Sequence, residues 1–291
     1  MISSRARYVA TCIGLVALAG LLALAGGALG GKKLKTESET VEVAGEENGS
    51  ATATCKRGTK AVSGGYQTAG VDPDEFVFMV VDASQRDGGR KWTSSAFSAS
   101  ASSLTSFAYC RDEKVKSRST STTLAAGGET DTVTAKCPAG TKVVSGGFEA
   151  DEIDLDAATT PRIINERSRK LGKREWEVRS FNNSGDASGE LTAQVNCRDA
   201  KALKTKQESE VVSFSGPGVG QDVEQVVAKC KRKQRVVSGG YTAPPAGDPG
   251  GVNIRESRKV GKRQWQVTAT AEVENSEPVT AYAYCEKKQK K

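Results

Sequence analysis

Apolar and polar residues alternate along most of this chain with a period of two. Between Trp265 and Val273 an apolar residue stands at every second position, and the same alternation leads into Cys197 and Cys285. A period of two places successive side chains on opposite faces of a strand. No helical period follows the N-terminal segment, so the pattern predicts an all-β fold with about six strands in each of three segments.

The alternating stretches belong to a sequence frame that occurs three times. Each copy has an opening cysteine, a Ser-Gly-Gly-aromatic step eight residues later, one tryptophan and a closing cysteine. The opening cysteines are Cys55, Cys137 and Cys230, the tryptophans are Trp92, Trp176 and Trp265, and the closing cysteines are Cys110, Cys197 and Cys285. No Pro-rich or Gly/Ser-rich linker separates the copies, which favours repeats that pack on one another.

This frame divides the chain into four parts. They are an N-terminal signal peptide or membrane anchor over residues 1–31, β-repeat 1 over 33–113, β-repeat 2 over 114–201, and β-repeat 3 with a basic tail over 202–291. We predict three tandem antiparallel β-sandwich repeats, each with one internal disulfide, after an N-terminal signal or anchor helix.

The cysteine pattern supports the disulfide prediction. Both cysteines of a repeat share a strand face with small apolar residues, and that face is the core face. The two cysteines of a repeat are 55 to 60 residues apart. A crosslink that closes a loop of this length contributes roughly 4 kcal/mol to stability in the chain-entropy model. Zinc binding is disfavoured, because the chain has no closely spaced cysteine pair.

The N-terminus predicts export. Arg5 and Arg7 precede an uncharged apolar stretch over residues 9–31, and Ala28-Leu29-Gly30 resembles a cleavage site. The stretch is also near the ~20 residues that span a bilayer. We favour a cleaved signal peptide over an uncleaved single-span anchor, and in either case we expect the repeats outside the cytoplasm or at the cell surface, with membrane contact only through this segment.

The glycines and tryptophans have structural interpretations. Each Ser-Gly-Gly step predicts a β-bulge or a backbone position with positive φ, since no helix follows that would suit a phosphate-binding loop. Gly88, Gly172 and Gly261 each precede a tryptophan amid polar residues, which predicts three hairpin turns. We expect each tryptophan to lie in a core.

The composition argues against an enzyme. The chain has no histidine, which excludes Ser-His and Cys-His nucleophile pairs and histidine-ligated metals. We predict no cofactor and no metal, and a carboxylate-dependent hydrolase is kept only as a remote alternative. The acidic cluster of Asp151, Glu152, Asp154 and Asp156 contains the ligand type that calcium prefers, but we favour a solvated loop.

Two hairpin tips supply the candidate binding residues. Each places four cations around its glycine, and together they are Arg169, Lys170, Lys173, Arg174, Arg258, Lys259, Lys262 and Arg263. Cations on a rigid scaffold suit phosphate, sulfate or carboxylate groups, although solvated tip charges that protect strand edges are the alternative.

The charge distribution points to anionic partners. Residues 33–113 carry 9 basic and 12 acidic side chains, whereas residues 202–291 carry 16 and 10. Outside the cell this excess favours an anionic cell-wall polymer or polysaccharide. Nucleic acid is not expected, because no aromatic residues interleave with the basic runs. The sequence does not determine an oligomeric state.

One stretch carries a family resemblance. The residues from Cys137 to Phe148, with Trp176 and Cys197, resemble a repeat of exported bacterial proteins without an assigned activity, particularly from actinobacteria. Related modules occur beside collagen-like segments. The resemblance implies an exported β-module and no particular activity. We therefore carry two hypotheses: a non-catalytic surface or wall-associated protein that binds anionic polymers through its basic tips, and a purely structural or spacer module packed around a pseudo-threefold axis.

Overall fold

The structure is a computed structural model that describes residues 33–69, 79–153, 162–199, 205–213, 222–245, 252–271 and 278–287. Every regular element in these ranges is a β-strand, so the predicted all-β class is confirmed. Within the same ranges there is no helix able to cross a membrane. The predicted N-terminal signal or anchor segment lies outside the described residues.

Eighteen strands follow one another along the chain, six in each segment. In the first segment they are β1 (Lys35–Val43), β2 (Glu47–Thr54), β3 (Lys60–Ala69), β4 (Met79–Asp87), β5 (Lys91–Ser98) and β6 (Ser102–Arg111). In the second they are β7 (Lys116–Leu124), β8 (Thr130–Lys136), β9 (Thr141–Ala150), β10 (Ile163–Leu171), β11 (Glu175–Asn182) and β12 (Gly189–Asp199). In the third they are β13 (Thr205–Ser213), β14 (Asp222–Lys229), β15 (Gln234–Thr242), β16 (Val252–Val260), β17 (Gln264–Ala271) and β18 (Pro278–Lys287).

The strands form three antiparallel sheets of six strands each. Their orders are β1-β6-β3-β16-β17-β14, β13-β18-β15-β10-β11-β8 and β2-β5-β4-β9-β12-β7. Each segment therefore gives three strands to one sheet and three to another. The sheets of the three segments join pairwise into a closed ring, which differs from the predicted tandem sandwiches with separate sheets.

The predicted disulfides are confirmed, and each lies within its own segment. Cys55 bonds to Cys110, Cys137 to Cys197 and Cys230 to Cys285, with Cα–Cα distances of 5.6, 5.7 and 5.7 Å. These separations match ordinary disulfide geometry. Each bond links the two sheets to which its segment contributes.

The glycine pairs permit close packing, which corrects one part of the sequence prediction. A Cβ on Gly64 would lie 2.1 Å from the indole of Trp92, and one on Gly65 would lie 2.3 Å from the carbonyl oxygen of Ser257 in the third segment. Neither glycine has a positive φ. The bulge comes earlier, at Val62, which has no partner in the ladder between β3 and β6.

The junctions between segments depend on this close approach. Strand β3 pairs with β16 through only two residue pairs, one of which is Tyr66 with Ser257. The pairs β4–β9 and β10–β15 are equally short. A side chain at the second glycine would push the neighbouring strand away, so the glycine makes the continuous sheet sterically possible.

The centre of the ring is lined by equivalent residues from all three segments. The hydroxyl of Ser63 donates to the carbonyl oxygen of Val237, Ser145 donates to Val62, and Ser238 donates to Val144. The three valines pack together with Val115. Because each serine bonds to a different segment, the hydrogen bonds run around the ring without a free end.

The tryptophans lie in the cores as predicted. Trp92, Trp176 and Trp265 are buried, and each indole nitrogen donates to a serine hydroxyl eight residues earlier. Burial with the polar edge satisfied is the favourable arrangement for this side chain.

Candidate functional site

The predicted hairpins are confirmed, and their tips lie beside the disulfides. Gly88, Gly172 and Gly261 have φ values of 65°, 73° and 64°, which glycine adopts without strain. In the second hairpin the amide of Cys137 donates to the carbonyl oxygen of Arg174 at 2.7 Å. The first and third tips bond to their opening cysteines in the same way.

A buried ion cluster brings the three segments together near these tips. The residues that directly follow the closing cysteines are Arg111, Arg198 and Glu286, and all three are buried. Arg111 Nη1 lies 2.8 Å from Glu286 Oε2, and Arg198 pairs with the other oxygen of the same carboxylate. The tips of all three segments therefore occupy one end of the ring, which we call the cysteine end.

The arginines control the ionisation of Glu286. Burial by itself would raise the pKa of this carboxyl, but the hydrogen bond from Arg111 and the charges of Arg198 and Arg111 outweigh burial and hold the pKa below its usual value. Removing one partner of such a buried pair leaves an uncompensated charge. The cluster was missed in the sequence, although a charged residue directly after every closing cysteine was a usable clue.

Two of the predicted binding residues lie in the junction between the second and third segments. Arg169 donates to Glu177 at 3.1 Å and to the hydroxyl of Tyr282 at 3.1 Å. The backbone amide of Lys170 donates to Tyr284 at 2.7 Å, and its ammonium lies 6.0 Å from the centre of that ring. Burial, followed by the charges of Arg198 and Lys142, lowers the pKa of Lys170 to about 8.

The equivalent residues of the third hairpin repeat this arrangement. Arg258 pairs with Glu256 and lies 5.5 Å from the ring of Phe107. The amide of Lys259 donates to Tyr109 at 2.7 Å, with the ammonium 5.7 Å from the ring centre. Burial lowers the pKa of Lys259. These four cations are thus engaged in cation–π and hydrogen-bond contacts that hold one segment to the next.

The other predicted residues sit at the tips themselves. Arg174 donates through Nε and Nη2 to the carbonyl oxygen of Cys137, at 2.9 and 2.7 Å. Lys173 and Lys262 are exposed, and Arg263 is half-buried. The two exposed lysines are the predicted residues that the fold presents most openly to solvent.

Exposed cations crowd the cysteine end. They come from the turns after the opening cysteines, from the hairpin tips and from the chain after the first closing cysteine: Lys56, Arg57, Lys60, Arg90, Lys91, Lys114, Lys116, Lys173, Lys231, Arg232, Lys233 and Lys262. The exposed acidic residues beside them are Asp87, Asp112 and Asp199.

The other end of the strands, which we call the acidic end, has the opposite charge. Its turns expose Glu42, Glu46, Glu47, Glu129, Asp151, Glu152, Asp186 and Glu190. Among the described residues of these turns the basic side chain is Arg162. Charge is therefore also separated between the two ends of the strands, in addition to the gradient along the sequence.

The acidic cluster considered for calcium is partly described. The carboxylate of Asp151 accepts the amide of Glu190 at 2.7 Å, while Asp154 and Asp156 lie outside the described residues. Within the described part of the chain no three Asp, Glu, Cys or His side chains are grouped as a metal site requires.

Comparisons with known proteins add no functional assignment. No protein-family model matches this sequence, and no curated protein matches it significantly. The function is therefore argued from the arrangement of charge and packing.

Proposed function

We propose that this protein is a non-catalytic, exported surface or wall-associated protein that binds anionic polymers through its cysteine end. The observation that carries the proposal is the separation of charge between the cysteine end and the acidic end. A face of one sign attracts a polyanion over a distance of about 10 Å at moderate salt. A rigid scaffold then holds the exposed lysines in place.

Export is supported by two independent features. The three buried disulfides belong to an oxidising compartment. The uncharged apolar stretch over residues 9–31 follows two arginines, as a secretory signal does. Cleavage of this segment and release of the chain remain part of the proposal.

A non-catalytic role is supported by three buried carboxylates that are ion-paired. Glu166 accepts from Arg179 at 2.7 Å, Glu256 pairs with Arg258, and Glu286 lies between two arginines. Carboxylates that are ion-paired inside a core serve packing and do not present a general base to a substrate. The absence of histidine in the sequence points the same way.

The test compares three charge reversals of equal size. Lys173→Glu and Lys262→Glu alter exposed tips, whereas Arg118→Glu alters an exposed strand position outside the tips, two residues after the start of β7. A cation near an anionic surface contributes about 1 kcal/mol, and a reversal changes the charge by two units, so each tip reversal should weaken binding to purified cell walls or a sulfated polysaccharide about thirtyfold. The Arg118 variant should lose clearly less affinity than either tip variant, because its side chain projects from the strand and not from a tip. Equal losses in all three variants, or none, would contradict the proposal.

A structural role is the second candidate, and the junctions favour it. Arg169, Lys170, Arg258 and Lys259 hold adjacent segments together, so half of the predicted cations already have a packing function. A scaffold would tolerate the tip reversals at the cell surface but fail when Gly240→Ala opens a junction, since a Cβ there would lie 2.4 Å from the carbonyl oxygen of Ser168. A polymer-binding protein would instead lose function in the tip variants, whose fold is intact.

A further inference from the structure

A groove of about 440 Å³ opens at the cysteine end, where the first segment meets the second. It lies between the first hairpin tip and the chain that connects the two segments. Its lining consists of Lys60, Arg86, Gly88, Gly89, Lys114, Val115, Lys116 and Ser117. Four of these residues are cations and none is acidic, so we call it the Arg86 groove.

Arg86 is the fixed charge of this groove. Its side chain donates through Nε to Ala61 O at 2.8 Å, through Nη1 to Ser117 Oγ at 2.9 Å and through Nη2 to Gly89 O at 3.0 Å. All three acceptors are neutral, and no carboxylate of the described residues pairs with it. The residue is 8 % exposed, and burial lowers its pKa.

Two other buried arginines of the molecule are compensated differently. Arg111 and Arg198 both pair with the carboxylate of Glu286. A buried cation without a counter-charge is costly, because desolvation is not repaid by attraction to an anion. Arg86 thus departs from the pattern that these arginines follow.

The first junction also differs in shape from the other two. The residue directly before the closing cysteine is Tyr109 in the first segment and Tyr284 in the third, and both rings lie under lysines of the adjacent segment. The second segment has the shorter Asn196 at this position, which accepts from Ser117 at 2.7 Å. A polar side chain therefore stands where the other junctions place an aromatic ring.

The lysines add movable charge around Arg86. Lys60, Lys114 and Lys116 are exposed. Lys60 Nζ lies close to Gly89, since it would be 3.3 Å from a Cβ added at that glycine. Four like charges around one cavity repel one another, and an anion between them removes that repulsion. Lysine binds phosphate as a compact point charge, which does not require a fixed donor fork.

We propose that the Arg86 groove binds a phosphate or sulfate group, with Arg86 as the buried charge and the three lysines as direct ligands. The inference rests on the proposed function for its biological ligand, because it names where one anionic group of the polymer is seated. The same chemistry also fits the free ion, and the experiment distinguishes these two sources.

The first measurement titrates the disulfide-bonded chain with inorganic phosphate and with sulfate at low ionic strength, followed by amide NMR shifts. We expect saturable shifts centred on Gly88, Gly89 and Ser117. The triple variant Lys60→Gln/Lys114→Gln/Lys116→Gln should raise the dissociation constant at least tenfold. The matched variant Lys56→Gln/Lys91→Gln/Lys173→Gln removes the same charge from the same end and should stay within twofold of wild type.

Three results would overturn the groove proposal: shifts that do not saturate, shifts of equal size at all three tips, or equal losses in the two triple variants. Should Arg86 need a direct test, Arg86→Lys keeps the charge but removes the donors to Ala61, Ser117 and Gly89, and should weaken phosphate binding severalfold. Wild-type affinity in this variant would count against a role for the fixed guanidinium.

A second measurement repeats the titration with a phosphate- or sulfate-bearing oligosaccharide at equal anion concentration. Tighter binding than the free ion identifies a tethered group as the ligand, and equal binding identifies the free ion. Groove binding without any polymer binding would defeat the proposed function alone. Polymer binding that depends on Lys173 and Lys262, with no saturable groove shifts, would defeat the groove alone.

Discussion

At the cysteine end, three disulfides, a buried ion cluster and a crowd of exposed lysines occupy the same region. At the acidic end, the turns are joined by hydrogen bonds such as those that Asn182 donates to the carbonyl oxygens of Ala125 and Ala187, and their exposed charges are mostly carboxylates. The structural crosslinks are concentrated where like charges repel one another most.

This contrast explains how a strongly basic surface coexists with a stable fold. Mutual repulsion among the lysines destabilises the folded chain locally, and covalent bonds together with the ion pairs of Glu286 oppose it. The acidic end lacks such crosslinks among its described residues and exposes fewer charged side chains. Substitutions at the two ends should therefore change the free energy of unfolding by different amounts, and its pH dependence in opposite directions.

The largest effect is expected on removing a disulfide at the cysteine end. The double variant Cys137→Ala/Cys197→Ala opens a loop with a sequence separation of 60 residues, which should lower the free energy of unfolding by about 4–5 kcal/mol, including the loss of packing. Denaturant unfolding of the oxidised proteins measures it. A loss below about 1 kcal/mol would show that the crosslink is not needed.

The next effect concerns the ion cluster. Glu286→Gln leaves the guanidinium groups of Arg111 and Arg198 with the half-buried carboxylate of Glu113 as their remaining shared partner, and should cost about 2 kcal/mol at pH 7. Glu47→Gln at the acidic end removes an exposed carboxylate and should change stability by less than about 0.5 kcal/mol. Similar losses in the two variants would contradict the contrast between the ends.

The Glu286 effect has a defined pH dependence. Because the folded state lowers the pKa of this carboxyl, its contribution is complete above the ordinary value of about 4.3 and disappears as the pH falls through the lowered pKa. The stability difference between wild type and Glu286→Gln should therefore shrink under acidic conditions. A difference that grows below pH 4 would refute this assignment.

A third prediction concerns Asp82, near the acidic end, whose contribution to stability depends on pH in the opposite direction to that of Glu286. Burial raises the pKa of Asp82 to about 7, and the charge of Glu152 adds to the increase while Ser95 opposes it. The folded state then holds a proton that the unfolded state releases, so this group reduces stability as the pH rises from about 4 to 7. Asp82→Asn should become more favourable, relative to wild type, by about 2 kcal/mol between pH 5 and pH 8. A difference that is flat with pH would exclude the raised pKa.

The smallest effect tests the turn after an opening cysteine. Gly58 and Gly140 have positive φ there, whereas the third segment places Lys233 at φ 70°. Lys233→Gly should stabilise the chain by about 0.5–1 kcal/mol, and Gly140→Ala should destabilise it by about 1 kcal/mol. Thermal unfolding of the two variants measures the pair, and shifts in the same direction would contradict the backbone argument.

Local pattern was sufficient to predict the strands, the hairpins and the disulfides. The period of two placed Cys137 and Cys197 on core-facing positions, and Gly172 before Trp176 marked a turn that the structure contains. These features depend on residues that are close in sequence, or on a pairing that the threefold frame made evident.

The sharing of sheets between segments was not predictable in the same way. The pairing of β4 with β9 depends on two residue pairs and on the contact of Gly147 with Ser84, which a single sequence does not associate. For the same reason Arg169 and Lys170 were predicted as binding residues of a hairpin tip, although Tyr282 and Tyr284 from the third segment lie against them. The groove at Arg86 was missed because its lining comes from three separate stretches of chain.

Hydrogen–deuterium exchange of the intact chain, with and without a sulfated or phosphorylated wall polymer, tests the central claim most directly. We predict that bound polymer protects the turns and tips of residues 56–60, 86–91, 111–117, 171–175 and 260–264 and leaves residues 42–48 and 182–190 unchanged. Protection that is uniform, or that falls on the acidic end, would contradict the assignment of the binding face.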